Sequence, residues 1–511
     1  RPGEGRRPGH PVVHRRPYPQ EETSRYPRIR QYPSVIHGAY AREKWGAMMD
    51  EILATGTDDA SLMWHEGFYK GHFMETFPKN DPGRDLYRRR FGRELPAHEE
   101  DSLAFRQWIV MRHEGIADLF GAWTRDLRRK HPRATLSAGT MMQVQSGCSY
   151  LTESGMPLDL MAERGGLDVI GTDYAGPDYM TMATAANGWR RVRMIHDANL
   201  WGPVSGGPKK PDFDSYAEVL RSAMYGVGVV SYYRYNYTID NWSAPEIGRA
   251  MAMLKDLENL GVYEAKPRDD VAFFFSRASK DWWQIRAWWG ERSRDPDFDR
   301  GAEGSRGWYT ERAVFDALQE NGIPLCGRYL DRAGAFDDLA RHKVLVIPFA
   351  WAVSDAAAAR IRAAVEGGAL LLLADGMTGQ TDEWGEPRAT PAFTDLVASG
   401  RAVMLEGDRL AEGAHERFAA AAVAAVVKAL GGNLPLRLNR NGNRIEATVL
   451  EKSDGGKFLF LLNYETRPAR LDLGLPLPDG AYDVRVRDEN QWLDLVLDGR
   501  RQATAADLAA F

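Results

Sequence analysis

The chain has 511 residues, of which 44% are hydrophobic and 27% are charged, and its formal net charge is -5. This length exceeds what one hydrophobic core organises, so we expect roughly three domains. The composition excludes extended disorder, and the slightly acidic balance argues against nucleic acid or acidic membranes as partners. No apolar run reaches the roughly 18 residues of a membrane span.

Targeting and cofactor signals are weak. No signal peptide is visible, which favours a cytoplasmic protein, and secretion stays open because the chain begins at Arg1 rather than at a methionine. Cys148 and Cys326 are too few and too far apart in sequence to form a disulfide framework or a metal quartet. We therefore predict no metal and no cofactor.

The first half of the chain alternates predicted strands and helices. A helix is predicted over Ala39–Ala54, a strand over Ala60–Trp64 and a long helix over Phe105–Lys130; four further strands follow, at Ala134–Gly139, Leu167–Thr172, Arg191–His196 and Val227–Tyr233. This alternation predicts parallel strands with helical crossovers. A (β/α)8 barrel needs eight strands, and about five precede residue 262. We therefore assign residues 1–266 to a barrel whose first strands lie upstream of this chain.

The remaining sequence predicts two smaller domains. Continuously apolar strands at Val271–Ser276, Val344–Pro348 and Ala369–Asp375, a segment Ile323–Cys326, and helices over Trp308–Gly322 and Asp355–Gly367 indicate a doubly wound, Rossmann-like or amidotransferase-like domain over residues 267–435. Short alternating strands at Ile445–Lys452, Lys457–Tyr464, Ala469–Leu473 and Tyr482–Arg487 indicate an antiparallel β-sandwich over residues 436–511.

Polar and aromatic residues follow the predicted barrel strands, where barrel chemistry is carried. They are Trp64, His65 and Glu66; Asp173 and Tyr174; His196, Asp197, Asn199 and Trp201; and Tyr233, Arg234 and Trp242. Carboxylates among aromatic rings suit a sugar site, since glycosidic cleavage needs one carboxyl as acid and a second as nucleophile or base. The structural alternative is that these carboxylates cap helices or pair with arginines.

The run from Ala60 to Gly92 resembles the acid/base strand of family 42 β-galactosidases. Glu66 stands at the position of the catalytic Glu and Phe91-Gly92 at the closing pair, while His65 stands where the family has Asn. The second domain resembles the family's trimerisation domain, with Gly367-Gly368 before its ALLLLAD strand and Asp382-Glu383 after it. The resemblance implies a bacterial-type β-galactosidase-like glycosidase, a homotrimer with a carbohydrate substrate, and Glu66 as general acid/base.

The resemblance departs from the family at the nucleophile. The family has Glu at the end of its seventh strand, and the matching position here is His196, followed by Asp197. Asp197 serves as the nucleophile, or another carboxylate such as Asp173 does, or hydrolysis is lost. The other polar and aromatic residues at the strand ends are expected to contact substrate.

Two further interpretations of the sequence remain. A catalytically silent carbohydrate-binding protein is favoured by His196. An amidotransferase with Cys326 as nucleophile is disfavoured, because Cys326 lacks the Gly-x-Cys-x-Gly turn and no His-x-Glu pair follows it, and we expect Cys326 to be a buried structural residue. The pairs Trp282-Trp283 and Trp288-Trp289 are expected to be exposed, at a subunit interface or as a lip over a neighbouring site.

Overall fold

The computed structural model of the chain describes residues 39–57, 59–64, 82–94, 102–140, 157–173, 191–196, 223–224, 229–232, 244–268, 270–282, 303–335, 338–374, 377–405, 414–432, 434, 437–440, 445–463, 471–474, 481–483, 485–487, 492–494 and 502–504. Among these residues, no helix combines the length and the apolar character that a bilayer crossing requires.

A five-stranded parallel sheet with its helices forms the first unit of the fold. Its strands are β1 (Asp59–Trp64), β2 (Thr135–Thr140), β3 (Val169–Asp173), β4 (Arg191–His196) and β5 (Val229–Tyr232), and they lie in sequence order. Its helices are α1 (Ala39–Ala54), α2 (Pro82–Phe91), α3 (Leu103–Lys130), α4 (Leu158–Leu160) and α5 (Ala244–Asn259). All four strand pairings are parallel, as the alternating sequence pattern predicts.

Helix α3 is the principal packing element of the first unit. Its buried face carries Trp108, Phe120 and Trp123, which are at most 3% exposed. The Oγ of Ser102 accepts a hydrogen bond from the N–H of Phe105 at 3.2 Å, which satisfies a free donor at the helix start. This N-cap explains why α3 begins at Leu103, two residues before the start predicted from apolar spacing.

A second five-stranded parallel sheet follows and forms the second unit. Its strands are β7 (Val271–Phe275), β8 (Cys326–Tyr329), β9 (Val344–Ile347), β10 (Leu370–Leu373) and β11 (Ala402–Met404). Its helices are α6 (Glu303–Glu320), α7 (Asp355–Glu366), α8 (Thr394–Ala398) and α9 (Ala414–Ala429), and residues 277–282 are also helical. The spatial order β8-β7-β9-β10-β11 places a topological switch point between β7 and β9.

Two sequence predictions for this unit were wrong in detail. Only the last residue of the segment Ile323–Cys326 belongs to a strand, since β8 begins at Cys326 and the preceding residues end helix α6. The N–H of Gly322 bonds to Gln319 and that of Ile323 to Leu318, with Gly322 at φ 64°, which is a Schellman motif whose apolar residue packs back on the helix. Strand β11 was missed because it has only three residues.

The C-terminal region consists of short antiparallel pairings, as its alternating pattern predicts. Its strands are β12 (Arg437–Arg440), β13 (Ile445–Glu451), β14 (Lys457–Asn463), β15 (Leu471–Gly474), β16 (Ala481–Asp483), β17 (Arg485–Arg487), β18 (Trp492–Asp494) and β19 (Gln502–Thr504). The strand predicted over Tyr482–Arg487 is thus two strands, which pair with different partners. Strand β6 (Lys266–Pro267), which precedes the second unit, pairs with β13.

Candidate functional site

The carboxyl ends of the five strands in the first sheet are level with one another. Trp64 pairs with Thr140, and Thr140 pairs with Thr172. On the other side of β3, Asp173 pairs with Ile195, the residue before His196. The last residue of every strand in the sheet therefore lies within two residues of the position that is level with Trp64. The carboxyl ends of all five strands thus lie at one edge of the sheet.

Three of the residues singled out in the sequence lie at this edge. Trp64 is the last residue of β1, Asp173 the last residue of β3 and His196 the last residue of β4. The structure thus brings the backbones of Asp173 and His196 onto neighbouring strands, with β1 two strands away from β3. The other predicted site residues lie outside the described residues: His65, Glu66, Tyr174, Asp197, Asn199, Trp201, Tyr233, Arg234 and Trp242.

The register of β2 and β3, and with it the position of Asp173, is fixed at the opposite edge of the sheet. The Oδ2 of Asp168 accepts a hydrogen bond from the N–H of Leu136 at 2.8 Å, and the N–H of Asp168 donates to the carbonyl of Leu136 at 2.8 Å. Arg128, in the last turn of α3, pairs with the Oδ1 of Asp168 at 2.5 Å. Helix α3 therefore ties the strand that carries Asp173 to its neighbour.

Helix α3 also holds the helical residues that precede β3. The Oγ1 of Thr124 donates to the carbonyl of Gly165 at 3.0 Å. Gly165 ends the π-helical turn Met161–Gly165, which continues α4 and returns the chain to β3. The loop between β2 and β3 is therefore anchored at its C-terminal end by buried contacts with α3.

The position of Cys326 in the fold differs from that of the nucleophile on a strand-to-helix turn. Cys326 is the first residue of β8, an edge strand of the second sheet, rather than part of a strand-to-helix turn. It is partly exposed, so the expectation of a buried cysteine was wrong; a position at the start of an edge strand leaves one side uncovered. Among the described residues, no group of three or more His, Cys, Asp or Glu side chains could hold a metal ion.

The structure also shows charged residues that the sequence had not singled out. Arg277, Lys280 and Asp281 follow β7 on the helical residues 277–282, and all three are at most 8% exposed. Charged side chains are rarely buried unless they are paired. The only hint of this in the sequence is the spacing of four residues between Arg277 and Asp281, which places both on one side of a helix.

Comparison with known proteins identifies the fold. No protein-family model matches the sequence, and no curated protein matches it. A β-galactosidase from the psychrophilic Marinomonas ef1 superposes with a TM-score of 0.57 over 85% of this chain and 83% of that chain, at 13% identity. A catalytic mutant of a family 42 β-galactosidase from G. stearothermophilus gives a TM-score of 0.55 over 81% of this chain and 68% of that chain, also at 13% identity.

A third structure agrees with these two. The β-galactosidase from Bacillus circulans sp. alkalophilus superposes with a TM-score of 0.52 over 75% of this chain and 64% of that chain, at 14% identity. The chain therefore has the fold of family 42 β-galactosidases over most of its length, with a sequence that has diverged far from theirs.

Proposed function

We propose that this protein is a glycoside hydrolase of the β-galactosidase type, which cleaves a glycosidic bond of a carbohydrate with a pair of carboxylates. The observation that carries the proposal is the level carboxyl edge of β1, β3 and β4, at which Trp64, Asp173 and His196 lie. Chemistry on parallel α/β barrels is carried at this edge of the sheet, and the fold is one that β-galactosidases share.

The two proposed catalytic carboxyls are assigned by their positions relative to the ends of β1 and β4. Glu66, two residues after the end of β1, is the proposed general acid/base, and Asp197, directly after the end of β4, is the proposed nucleophile. Strands β1 and β4 are separated by three strand-to-strand spacings in the sheet. At ~4.8 Å per spacing, their backbones are about 14 Å apart. This separation suits side chains that approach a sugar from opposite sides.

The remaining residues of the proposed site bind the substrate. Asp173, on the strand next to β4, is the reserve candidate for the second carboxylate. The aromatic and polar residues provide stacking faces and hydrogen bonds for a sugar; they are Trp64, His65, Tyr174, His196, Asn199, Trp201, Tyr233, Arg234 and Trp242.

We propose a division of the whole chain into three domains, each built around strands that the structure describes. Residues 1–266 form part of a (β/α)8-type barrel, of which β1–β5 are five consecutive strands. Residues 267–435 form a Rossmann-like trimerisation domain, and residues 436–511 form a β-sandwich. The spatial order of β7–β11 and the antiparallel pairs of the C-terminal region support this division.

A catalytically silent carbohydrate-binding protein is the second candidate. The observation that favours it is His196 at the end of β4, where the resembling family carries its nucleophilic glutamate. In this case the strand-end aromatic residues bind a sugar that the protein does not cleave.

The proposal is tested with Glu66→Gln on aryl galactosides that have good and poor leaving groups. General acid catalysis contributes about 10²–10⁴-fold, so turnover of substrates with poor leaving groups should fall at least about a hundredfold, and turnover of activated substrates much less. Glu51→Gln, an exposed change on helix α1, should leave both rates unchanged. Equal loss on both substrates, or no loss, excludes Glu66 as the acid. A wild type that binds sugars in calorimetry and cleaves none would favour the silent candidate.

A further inference from the structure

A group of buried charges joins the two units of the fold. We call it the Arg277 cluster; its members are Arg277, Lys280, Asp281 and Glu311, which are buried, Asp331, which is partly buried, and the buried Asp159. Asp159 belongs to helix α4 of the first unit, whereas the others belong to the second. The cluster therefore lies across the contact between the two parallel sheets and their helices.

Arg277 is the member that crosses this contact. Its Nε lies 2.8 Å from Oδ1 and 3.0 Å from Oδ2 of Asp159, and its Nη1 lies 3.4 Å from Oδ2 of Asp281. The backbone N–H groups of Arg277 and Ala278 donate to the carboxylate of Asp331 at 2.7 and 3.0 Å. Arg277 and Asp159 thus form a buried ion pair between the two units, and the side chain and backbone of this arginine are fixed by two further carboxylates.

Other contacts lie at or beside the same junction. The Nη2 of Arg106 on α3 pairs with Oε1 of Glu386 across the junction at 2.9 Å. Within the second unit, the indole N–H of Trp282 donates to the carbonyl of Glu383 at 2.8 Å. Trp282 is 1% exposed, so the expectation that it belongs to an exposed aromatic pair was wrong; it is enclosed because the junction covers it. The units thus keep some contact even when the ion pair is weakened.

The Arg277 cluster contains more acids than bases. Four carboxyls, those of Asp159, Asp281, Glu311 and Asp331, face two cations, Arg277 and Lys280, and the Nζ of Lys280 lies 2.7 Å from Oε1 of Glu311. The Oδ1 of Asp281 and the Oε2 of Glu311 have no hydrogen-bond partner among the described residues. An uncompensated buried charge is costly, so the closed junction retains protons on some of these carboxyls.

We propose that the Arg277 cluster is a proton-dependent latch, which holds helix α4 against residues 277–282 when its surplus carboxyls are protonated and weakens when they ionise. Asp281 is the central group of this latch. The charged or titratable groups that face it are Arg277 and Lys280 on its own helical turn, Asp159 from α4, Asp331 after β8, and His113 from α3, whose Nδ1 lies 3.8 Å from its Oδ2. Glu311 from α6 belongs to the cluster through its ion pair with Lys280.

The directions of the pKa shifts set the pH window. Burial raises the pKa of Asp281 from 3.8 to about 8 although Arg277 lowers it, and burial raises the pKa of Glu311 well above its ordinary value. The stability of the closed junction that depends on protonated Asp281 and Glu311 is fully present below the pKa of an exposed carboxyl. This stability is lost as the pH rises through the raised pKa of each group. Burial lowers the pKa of Lys280 from 10.5 to about 7, so its contribution has the opposite sign but changes only above pH 7. The latch therefore weakens from about pH 5 to pH 7.

Native-state hydrogen exchange on the full chain tests this proposal. Each proton that the cluster releases when the junction opens raises the equilibrium constant for opening about tenfold per pH unit. Protection factors of residues 158–165, corrected for intrinsic exchange, should fall at least about tenfold from pH 5.5 to 7. Those of strand β14, which pairs with β13 and contains no member of the cluster, should change much less. A constant protection at 158–165, or an equal change in β14, contradicts the latch.

A matched pair of variants assigns the effect to the cluster. Asp281→Asn replaces the protonated carboxyl by a neutral amide of the same shape, so the pH dependence should decrease and protection at pH 7 should exceed that of the wild type. Asp85→Asn removes a carboxyl of helix α2 that is 61% exposed and should retain the wild-type slope. An unchanged slope in Asp281→Asn overturns the proposal. If that variant does not fold, the wild-type slope together with Glu311→Gln, which removes the second surplus carboxyl, decides the question in the same way.

Discussion

At the end of β4 the chain reads His196-Asp197, where the resembling family carries a glutamate. The aspartate side chain is one methylene shorter than a glutamate, so a carboxyl at residue 197 stands further back from the sugar unless the backbone advances. Retaining hydrolysis needs carboxyls about 5–5.5 Å apart, and inverting hydrolysis roughly 6.5–9.5 Å. A shorter side chain therefore favours inversion, or retention with a shifted strand end.

The residue that acts as nucleophile is tested with Asp197→Asn and Asp173→Asn, each measured with and without azide. If Asp197 is the nucleophile of a retaining enzyme, its variant should lose activity by at least about a hundredfold and azide should restore turnover, with a glycosyl azide as product. Asp173→Asn is the matched control on the neighbouring strand β3. Wild-type activity in Asp197→Asn would refute the assignment, and azide rescue of Asp173→Asn would transfer the role to Asp173.

The carboxylate of Asp331 caps the helix start that follows β7. In doubly wound sheets, anions bind at the helix start beside the switch point because free N–H groups point at them. Here the carboxylate of Asp331 accepts from the N–H groups of Arg277 and Ala278, at the helix start that follows β7. The side chain of Asp331 thus satisfies N–H groups of this helix start that would otherwise be free to bind an anion.

At the scale of elements, helix α3 and the π-helical turn Met161–Gly165 are in very close contact. A Cβ on Gly121 would lie 2.0 Å from the carbonyl oxygen of Arg164, which no real contact permits. The absence of a side chain at Gly121 allows the two backbones to approach, and the Thr124–Gly165 hydrogen bond closes the contact. This packing places the turn that leads into β3.

Gly121→Ala is therefore expected to destabilise the protein by about 1–3 kcal/mol, because the backbone of the π-helical turn must move to admit a methyl group. Gly248→Ala is the control on helix α5, where a Cβ would meet nothing within 4 Å. The control should be neutral or stabilising by about 0.5–1 kcal/mol, since alanine favours a helix interior over glycine. Urea unfolding midpoints of both variants compare the two directly, and equal midpoints would show that the α3 contact is more plastic than its geometry suggests.

At the scale of the whole molecule, we expect a homotrimer assembled through the second unit. The resemblance to the family's trimerisation domain supports this, and closed cyclic symmetry is the usual outcome for homo-oligomers. Sedimentation equilibrium at micromolar concentration should give three times the chain mass of 57.3 kDa. The same mass after tenfold dilution would mark a stable assembly. A single-chain mass at both concentrations would contradict the prediction.

Local patterns in the sequence determined the elements of this protein well. Helix Ala39–Ala54 and strand Arg191–His196 lie where the sequence predicts them, and the predicted parallel strands of both sheets recur within a few residues. These features depend on periodicity and burial, which neighbouring residues encode. The strand-end positions of Trp64, Asp173 and His196 followed from the same patterns.

Tertiary structure decided what connects distant parts of the chain. The pairing of Lys266–Pro267 with β13, and the order β8-β7-β9-β10-β11, involve partners that no local pattern names. The pairing of Arg277 with Asp159 joins residues 118 positions apart. Only the folded chain removes these charges from water together, and that shared burial, rather than either residue's own neighbourhood in the sequence, determines the contact they make.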